Sequence, residues 1–384
     1  MATLSLDDHK AKLKEKHQKA VTEFESLYLH DENKRVKDQV HIKTYKDGSK
    51  YQGHVLEDKR HGKGAYDFSN KDKYIGDWEN DLMHGNGHYI FANGEYYEGS
   101  FQAGAKHGHG TYSYQNGDIY IGEWVENKRE GKGQLLYANG DIYDGEFQGG
   151  LRNGKGKFIL ANKTDSYNGE WRDGKKNGRG TLIIGKASYT GEWKDDKPHE
   201  RGTIIYVNQE KYEGDWFDGD KEGNGTYYYS DGAKYEGEWR KDHKQGEGLY
   251  QYANGDIYQG HWENNEQAGH AKYTFANQDF YEGGFKQGKR HGKGDLKFAN
   301  GDYYNGEWQD GEKHGFGVYN YANGDSYEGE FAFGKKQGTG TYTWKESEKY
   351  EGEWNEDSMH GRGKFIFSDG TVQEGKFKNN EFIN

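Results

Sequence analysis

The sequence predicts an all-β repeat fold, an elongated antiparallel β-meander of about fifteen hairpins with a short N-terminal helix. Three observations predict it. A Tyr-x-Gly-x-aromatic unit returns every 23 residues between Tyr51 and Tyr350, save for one step of 24 (Tyr143 to Tyr167) and one of 22 (Tyr167 to Tyr189), polar and apolar residues alternate inside each unit, and 60 glycines and 33 tyrosines stand against the single proline, Pro198. This composition lies outside ordinary globular usage, and outside collagen or disordered chains, which would lack the aromatic residues.

The helix comes first. Ser5 to Lys34 contains neither glycine nor proline, and Leu6, Leu13, Ala20 and Leu27 fall seven apart with Phe24 nearby. That spacing gives one modest apolar seam on a helix, and Ser5 with Asp7 and Asp8 supplies a start signal. Residues 1–40 are therefore read as helix and linker, and 41–384 as the repeat array. Leu6, Leu13, Phe24 and Leu27 are expected to dock the helix onto another protein in preference to the first repeats.

Within a repeat, Tyr74-Ile75-Gly76-Asp77-Trp78 alternates as a strand does, with Tyr, Gly and Trp on one face and Ile75 and Asp77 on the other. Gly85, Gly87, Tyr89 and Phe91 continue the aromatic face in a second strand. The repeated Asn-Gly pairs, such as Asn93-Gly94 and Asn254-Gly255, supply residues that tolerate positive φ at the turns. Glycines facing the aromatics leave room for a ring of a neighbouring repeat to lie over the backbone, so stacked rings replace a thick aliphatic core. At ~4.8 Å per strand such an array would span on the order of 140 Å before twist and curvature.

The motif in "YNGEWQDGEKHGFGVYNYANGDS", Tyr304 to Ser326, resembles the MORN (membrane occupation and recognition nexus) repeat, Y-x-G-x-W-x-x-G-x-x-H-G-x-G-x-Y-x-x-x-x-G, and the resemblance covers roughly residues 41–384. It implies a single-layer, twisted antiparallel sheet whose concave aromatic groove receives an extended or helical segment of a partner. Members occur in radial-spoke heads, cortical scaffolds, junctional membrane-contact proteins, and beside lipid-kinase and histone-methyltransferase domains. Val55 in the first repeat and Gln373 in the last replace aromatic positions, as end repeats that cap an array do. Around 161–202 one turn lengthens ("ANKTDS"), the next shortens ("GKAS"), and Pro198 and Glu200 break the His-Gly-x-Gly element, which predicts a local bend or altered twist; Ala268 and Ala271 depart similarly in "AGHA".

Several sharper readings yield to plainer ones. "HGKG" at His61 and His291 leads into a strand, so no helix N-terminus awaits a phosphate. Histidines 61, 84, 107, 291, 314 and 360 share one repeat position, and those in adjacent repeats stand about 9–10 Å apart, too far to share zinc. The glutamates of "YEGEW", such as Glu236 and Glu238, recur as rows on a sheet and not as a carboxylate pair across a cleft. No catalytic, cofactor or metal residue is assigned. Net charge of −12 without a basic face fits nucleic acid poorly, and the absence of cysteine removes disulfides and thiol chemistry. No apolar stretch is long enough to span a bilayer, and no signal peptide is recognised, so an intracellular protein is expected.

The chain is thus read as a non-enzymatic scaffold. The resemblance implies a cytoskeletal assembly, foremost the ciliary axoneme in a radial-spoke-head-like role, with structural proteins as partners and self-association as an option. The alternative is a cortical membrane–cytoskeleton tether binding phosphoinositides through Lys286, Lys289, Arg290 and Lys293. For the partner-binding groove the sequence nominates Trp239, Tyr250, Tyr252, Trp262 and Tyr281.

Overall fold

The computed structural model describes residues 6–28 and 40–384. Leu6–Tyr28 is a helix, and the described remainder forms the strands of one 31-stranded antiparallel sheet. Two compact units divide it, Met1–Lys197 and Pro198–Asn384.

Every repeat is the hairpin the alternation predicts, and Lys73–Glu79 with Leu82–Ile90 serves as the type. Tyr74 faces Tyr89 and Gly76 faces Gly87 across the pair, after which the register shifts at a bulge between Gly76 and Asp77. The tyrosine ring lies flat over the paired glycines. A methyl added at Gly87 would stand 2.5 Å from Tyr74 Cε2, and one at Gly76 would stand 2.5 Å from the Cα of Gly87. The ring belongs to the same hairpin as the glycines, not to a neighbouring repeat as the composition suggested. Its hydroxyl donates to the carbonyl of the residue three further on, Asp77, at 2.9 Å, which satisfies a backbone acceptor freed by the bulge.

The same bond recurs from Tyr97 to Ser100, Tyr143 to Glu146, Tyr235 to Glu238 and Tyr327 to Glu330. These tyrosines are the most deeply buried side chains, and the tryptophans and phenylalanines four residues on seal them. In the second unit Tyr235 meets Trp239 and Trp262 edge-on at 5.3 Å each, and Tyr281 meets Phe285 at 5.3 Å and Trp308 at 5.2 Å in the same way. T-shaped contact suits ring quadrupoles and contributes ~0.5–1.5 kcal/mol per pair beyond burial.

The turns differ from the expectation in one respect. Inside each hairpin a two-residue turn has both residues at positive φ, as at Asn80 (49°) and Asp81 (69°), and this is the turn that matches strand twist. The Asn-Gly connectors between hairpins are longer. Phe91 receives the Gly94 N–H at 3.0 Å, only Gly94 (φ 86°) is left-handed, and Asn93 accepts the Glu95 N–H at 3.0 Å. Asn therefore serves as a side-chain acceptor and Gly alone supplies the conformation.

The irregular stretch keeps its pairing: Tyr167 still faces Leu182, and the shortened turn closes with Ile184 opposite Ala187. Glu200 takes φ 54° where the corresponding residue of the type hairpin is Gly85 (φ 56°). At the C-terminus, where Gln373 replaces the core tyrosine, the Phe382 ring covers the glycine instead, with Cε2 2.7 Å from a methyl placed on Gly375.

The helix lies on the face opposite the aromatic rings, against Lys73–Glu79, with Lys16 Nζ 3.0 Å from Glu98 Oε1. On that face Ile119 is 0% exposed, whereas Ile257, its counterpart in an uncovered repeat, is 36% exposed. Tyr96 and Leu136 are buried beside it. The helix thus touches its own chain's first repeats. Leu13 is half-buried; the side chains of Leu6, Phe24 and Leu27 lie outside the described residues.

Two substitutions check this account by urea denaturation. Gly237→Ala should cost about 2–3 kcal/mol, because its methyl would meet backbone, the Gly248 Cα and Glu247 carbonyl at 2.6 Å, while Gly248→Ala should cost less, since Ala271 occupies the matching position natively. Glu200→Gly should stabilise the chain by about 1 kcal/mol by removing a left-handed side-chain-bearing residue.

Candidate partner-binding face

Beside the buried tyrosines runs a second, partly open aromatic ribbon. In the second unit Tyr227, Tyr229, Tyr250, Tyr252, Tyr273 and Phe275 follow one another in a zigzag with centroids 4.5–5.9 Å apart. After Leu296 the zigzag resumes from Phe298 through Tyr319, Tyr321, Tyr342 and Trp344 to Phe365. The five nominated residues divide between the two layers. Tyr250 and Tyr252 are half-buried members of the ribbon, whereas Trp239 (5% exposed), Trp262 (3%) and Tyr281 (0%) belong to the sealed core and offer a partner almost nothing.

Carboxylates flank the ribbon on one side. Asp256 accepts the Tyr273 hydroxyl at 2.7 Å and the Ala276 N–H at 2.8 Å; Asp302 does the same for Tyr319 and Ala322, and Asp325 for Tyr342 and Lys345. Burial resists ionisation of these acids, but the hydrogen bonds outweigh it and hold all three below the usual carboxylate range. Each acid ties its own connector to the next repeat.

A row of cations flanks the other side, and the sequence reading missed it. Arg60, Lys106, Arg129, Arg152 and Lys176 in the first unit, with Lys221, Lys244, Arg290, Lys313 and Lys336 in the second, occupy one repeat position just after the hairpin turn. The signal was present in the repeat alignment: this position carries Lys or Arg except at Met83, Pro198, Gln267 and Met359. Every member lies over rings, Lys244 Nζ 4.3 Å from the Trp262 centroid and 4.7 Å from Tyr250, and the Arg290 guanidinium 4.1 Å from Trp308. Cation–π attraction offsets part of the cost of holding these charges out of water. Burial nevertheless pushes Lys106 and Lys244 down to about 8, and lowers Lys176, Lys221, Lys313 and Lys336.

The glutamates of "YEGEW" have a local task. Glu238 Oε1 accepts the Glu247 N–H at 3.1 Å and Glu330 Oε1 the Thr339 N–H at 3.0 Å, bracing the bulge on the face away from the rings. The four basic residues nominated for lipid do not form one patch. Lys286 pairs with Lys289 at the hairpin end, Arg290 turns onto Trp308, and Lys293 faces Glu307 on the opposite side. Among the described residues no group of acidic and histidine side chains could hold a metal ion, and no helix is long and apolar enough to cross a membrane.

A family model described as the MORN repeat matches fourteen segments, 51–73, 74–96, 97–119, 120–142, 143–164, 167–185, 189–211, 212–234, 235–257, 258–280, 281–303, 304–326, 327–347 and 350–372. No curated protein matches in sequence. Among solved structures, the SAS-4 (dCPAP) TCP domain of Drosophila melanogaster in complex with a proline-rich motif of Ana2 is 14% identical over 52% of this chain and 85% of its own, with a TM-score of 0.23. The wild-type TCP10 domain of Danio rerio CPAP is 10% identical over 59% and 94%, with a TM-score of 0.26.

Lys244→Met should raise the thermal midpoint at pH 7. Because the folded-state value of Lys244 is depressed, the wild-type gains stability as pH rises from about 8 toward the unfolded lysine value, and the advantage of the variant should shrink over that window in calorimetric scans.

Proposed function

This chain belongs to the MORN-repeat family, and from that premise we propose that it is a non-enzymatic scaffold of a large cytoskeletal assembly, the ciliary axoneme foremost, in a role like that of a radial-spoke-head protein. One observation carries the binding part of this reading. The half-buried ribbon through Tyr229, Tyr250, Tyr252 and Tyr273 is distinct from the rings that hold the fold, so a row of aromatic surface is presented that the sheet does not consume. Exposed aromatic surface of this kind is where protein partners bind most strongly. Assignment to the axoneme rests on family occurrence.

Extraction of isolated cilia with detergent and then high salt tests the assembly. Retention with the salt-washed axoneme, with proximity labelling of spoke components, is the expected result; release with detergent would move the protein to a membrane-tethering role. Tyr250→Ser with Tyr252→Ser should abolish retention while circular dichroism stays that of the wild-type. Tyr281→Ser should instead destabilise the sheet by about 3–5 kcal/mol, because it empties a fully buried ring site.

A further inference from the structure

We propose that the aromatic face binds an acidic, extended peptide that runs across the strands and places a carboxylate at every third residue, each meeting one cation of the row. This inference rests on the scaffold reading and names the chemistry of its partner.

The two flanks of the ribbon are unequally satisfied. Each acid of the connector row already holds a tyrosine hydroxyl and a backbone N–H, as at Asp256, Asp302 and Asp325. The arginines give part of their donor set to neighbours, Arg60 to Asp81 and Arg290 to the Gly311 carbonyl at 2.7 Å, and keep further N–H donors; the lysines are left wanting. Among the described residues no carboxylate comes within ion-pair distance of the Nζ of Lys106, Lys176, Lys244, Lys313 or Lys336; Lys221 reaches only Asp242, at 3.7 Å. Rings cover these ammonium groups on one side but accept no hydrogen bond of ordinary strength. A desolvated ammonium beside an open aromatic surface is complementary to a carboxylate.

The second observation is a recess. Arg290 and Lys313 line an open hollow of about 400 Å³ with Phe298, Leu296 and Trp308, so two successive cations and the ribbon share one cavity; Asp279, which already accepts the Ala299 N–H at 2.8 Å, and Glu312 also line it. The third is spacing. Successive cations are one hairpin apart, two strands or ~9.6 Å, and a chain extended as polyproline II rises ~3.1 Å per residue with three residues per turn, so every third side chain returns to the same face at about that interval. Longest in the second unit is the run Arg290, Lys313 and Lys336, which asks for acids at i, i+3 and i+6.

A peptide suits this face better than an anionic bilayer. The cations are recessed between rings, the Lys221 side chain being 12% exposed, where a single carboxylate side chain can enter but a flat array of headgroups cannot.

Met83 and Met359 occupy the cation position natively, so methionine is the substitution that the fold accepts. The full chain and its Arg290→Met, Lys313→Met, Lys336→Met triple variant are titrated with a fluorescent (Glu-Ser-Ala)5 peptide, with a composition-matched peptide whose glutamates are clustered, and with vesicles containing phosphatidylinositol bisphosphate. The wild-type should prefer the spaced peptide over the clustered one, should lose affinity as salt rises, and should lose about tenfold per methionine, as for a charge-assisted hydrogen bond. Equal binding of both peptides, no binding of either, unchanged affinity in the folded variant, or binding of the vesicles alone would each overturn the proposal. Axonemal retention of the triple variant is read separately. If peptide binding fails while the Tyr250→Ser, Tyr252→Ser chain still loses retention, the acidic-partner chemistry falls and the scaffold stands.

Discussion

A tyrosine ring laid over two paired glycines is the interaction on which the rest of this sheet depends. The glycines let the ring approach the backbone, the ring shields the strand pair from water, and the hydroxyl reaches the bulge carbonyl. Each of these needs the other two. A side chain larger than the methyl that Ala271 carries beneath Tyr258 would lift the ring, and a ring without its hydroxyl would leave a buried carbonyl unpaired. The tryptophan or phenylalanine four residues on closes the site from one side and its counterpart in the next hairpin from the other, so the core is a row of small sealed cells in place of one central mass.

This economy leaves both faces of the sheet free to differ. On the ring face, the second aromatic ribbon with its acid and cation borders lies above the sealed layer. On the other face most repeats carry polar residues, yet Tyr96, Ile119, Ile121 and Leu136 replace them in the stretch where the helix lies. Fold stability and surface specificity are therefore written at different positions of the same repeat. The native exchange of Lys or Arg for Met at 83 and 359, and the Gln267 amide that donates to the Tyr252 hydroxyl at 2.7 Å, are changes of surface made without disturbing a core tyrosine.

Most of the fold was legible because period and alternation report directly on strands: the hairpins, their shared aromatic face and the need for glycine opposite tyrosine all follow from spacing. The site was less legible. Tyr250 and Trp262 both read as groove aromatics, since alternation places them on one face, but depth within that face depends on which ring the bulge tips inward. The cation row escaped notice because a lysine or arginine in a polar turn looks solvated, and only the register after the bulge, which sets Lys244 opposite Trp239 and Arg290 opposite Phe285, brings it onto the ring face. The place of the helix on the sheet was hidden for a similar reason. Its apolar seam was visible, but the apolar residues of the sheet face beside it are scattered singly through three strands, and no local pattern joins them.

The lengthened connector at 161–165 and the shortened one at 185–186 stand on either side of a hairpin whose pairing is undisturbed. Register is set afresh in every repeat by its own tyrosine and glycines, so an added or missing residue at a connector is absorbed where it occurs and carries no error downstream. Chain length in this protein is consequently a local variable. New sequence can be accepted at the connector loops without renegotiating the strands on either side, which gives an array of this kind a way to acquire surface features one loop at a time.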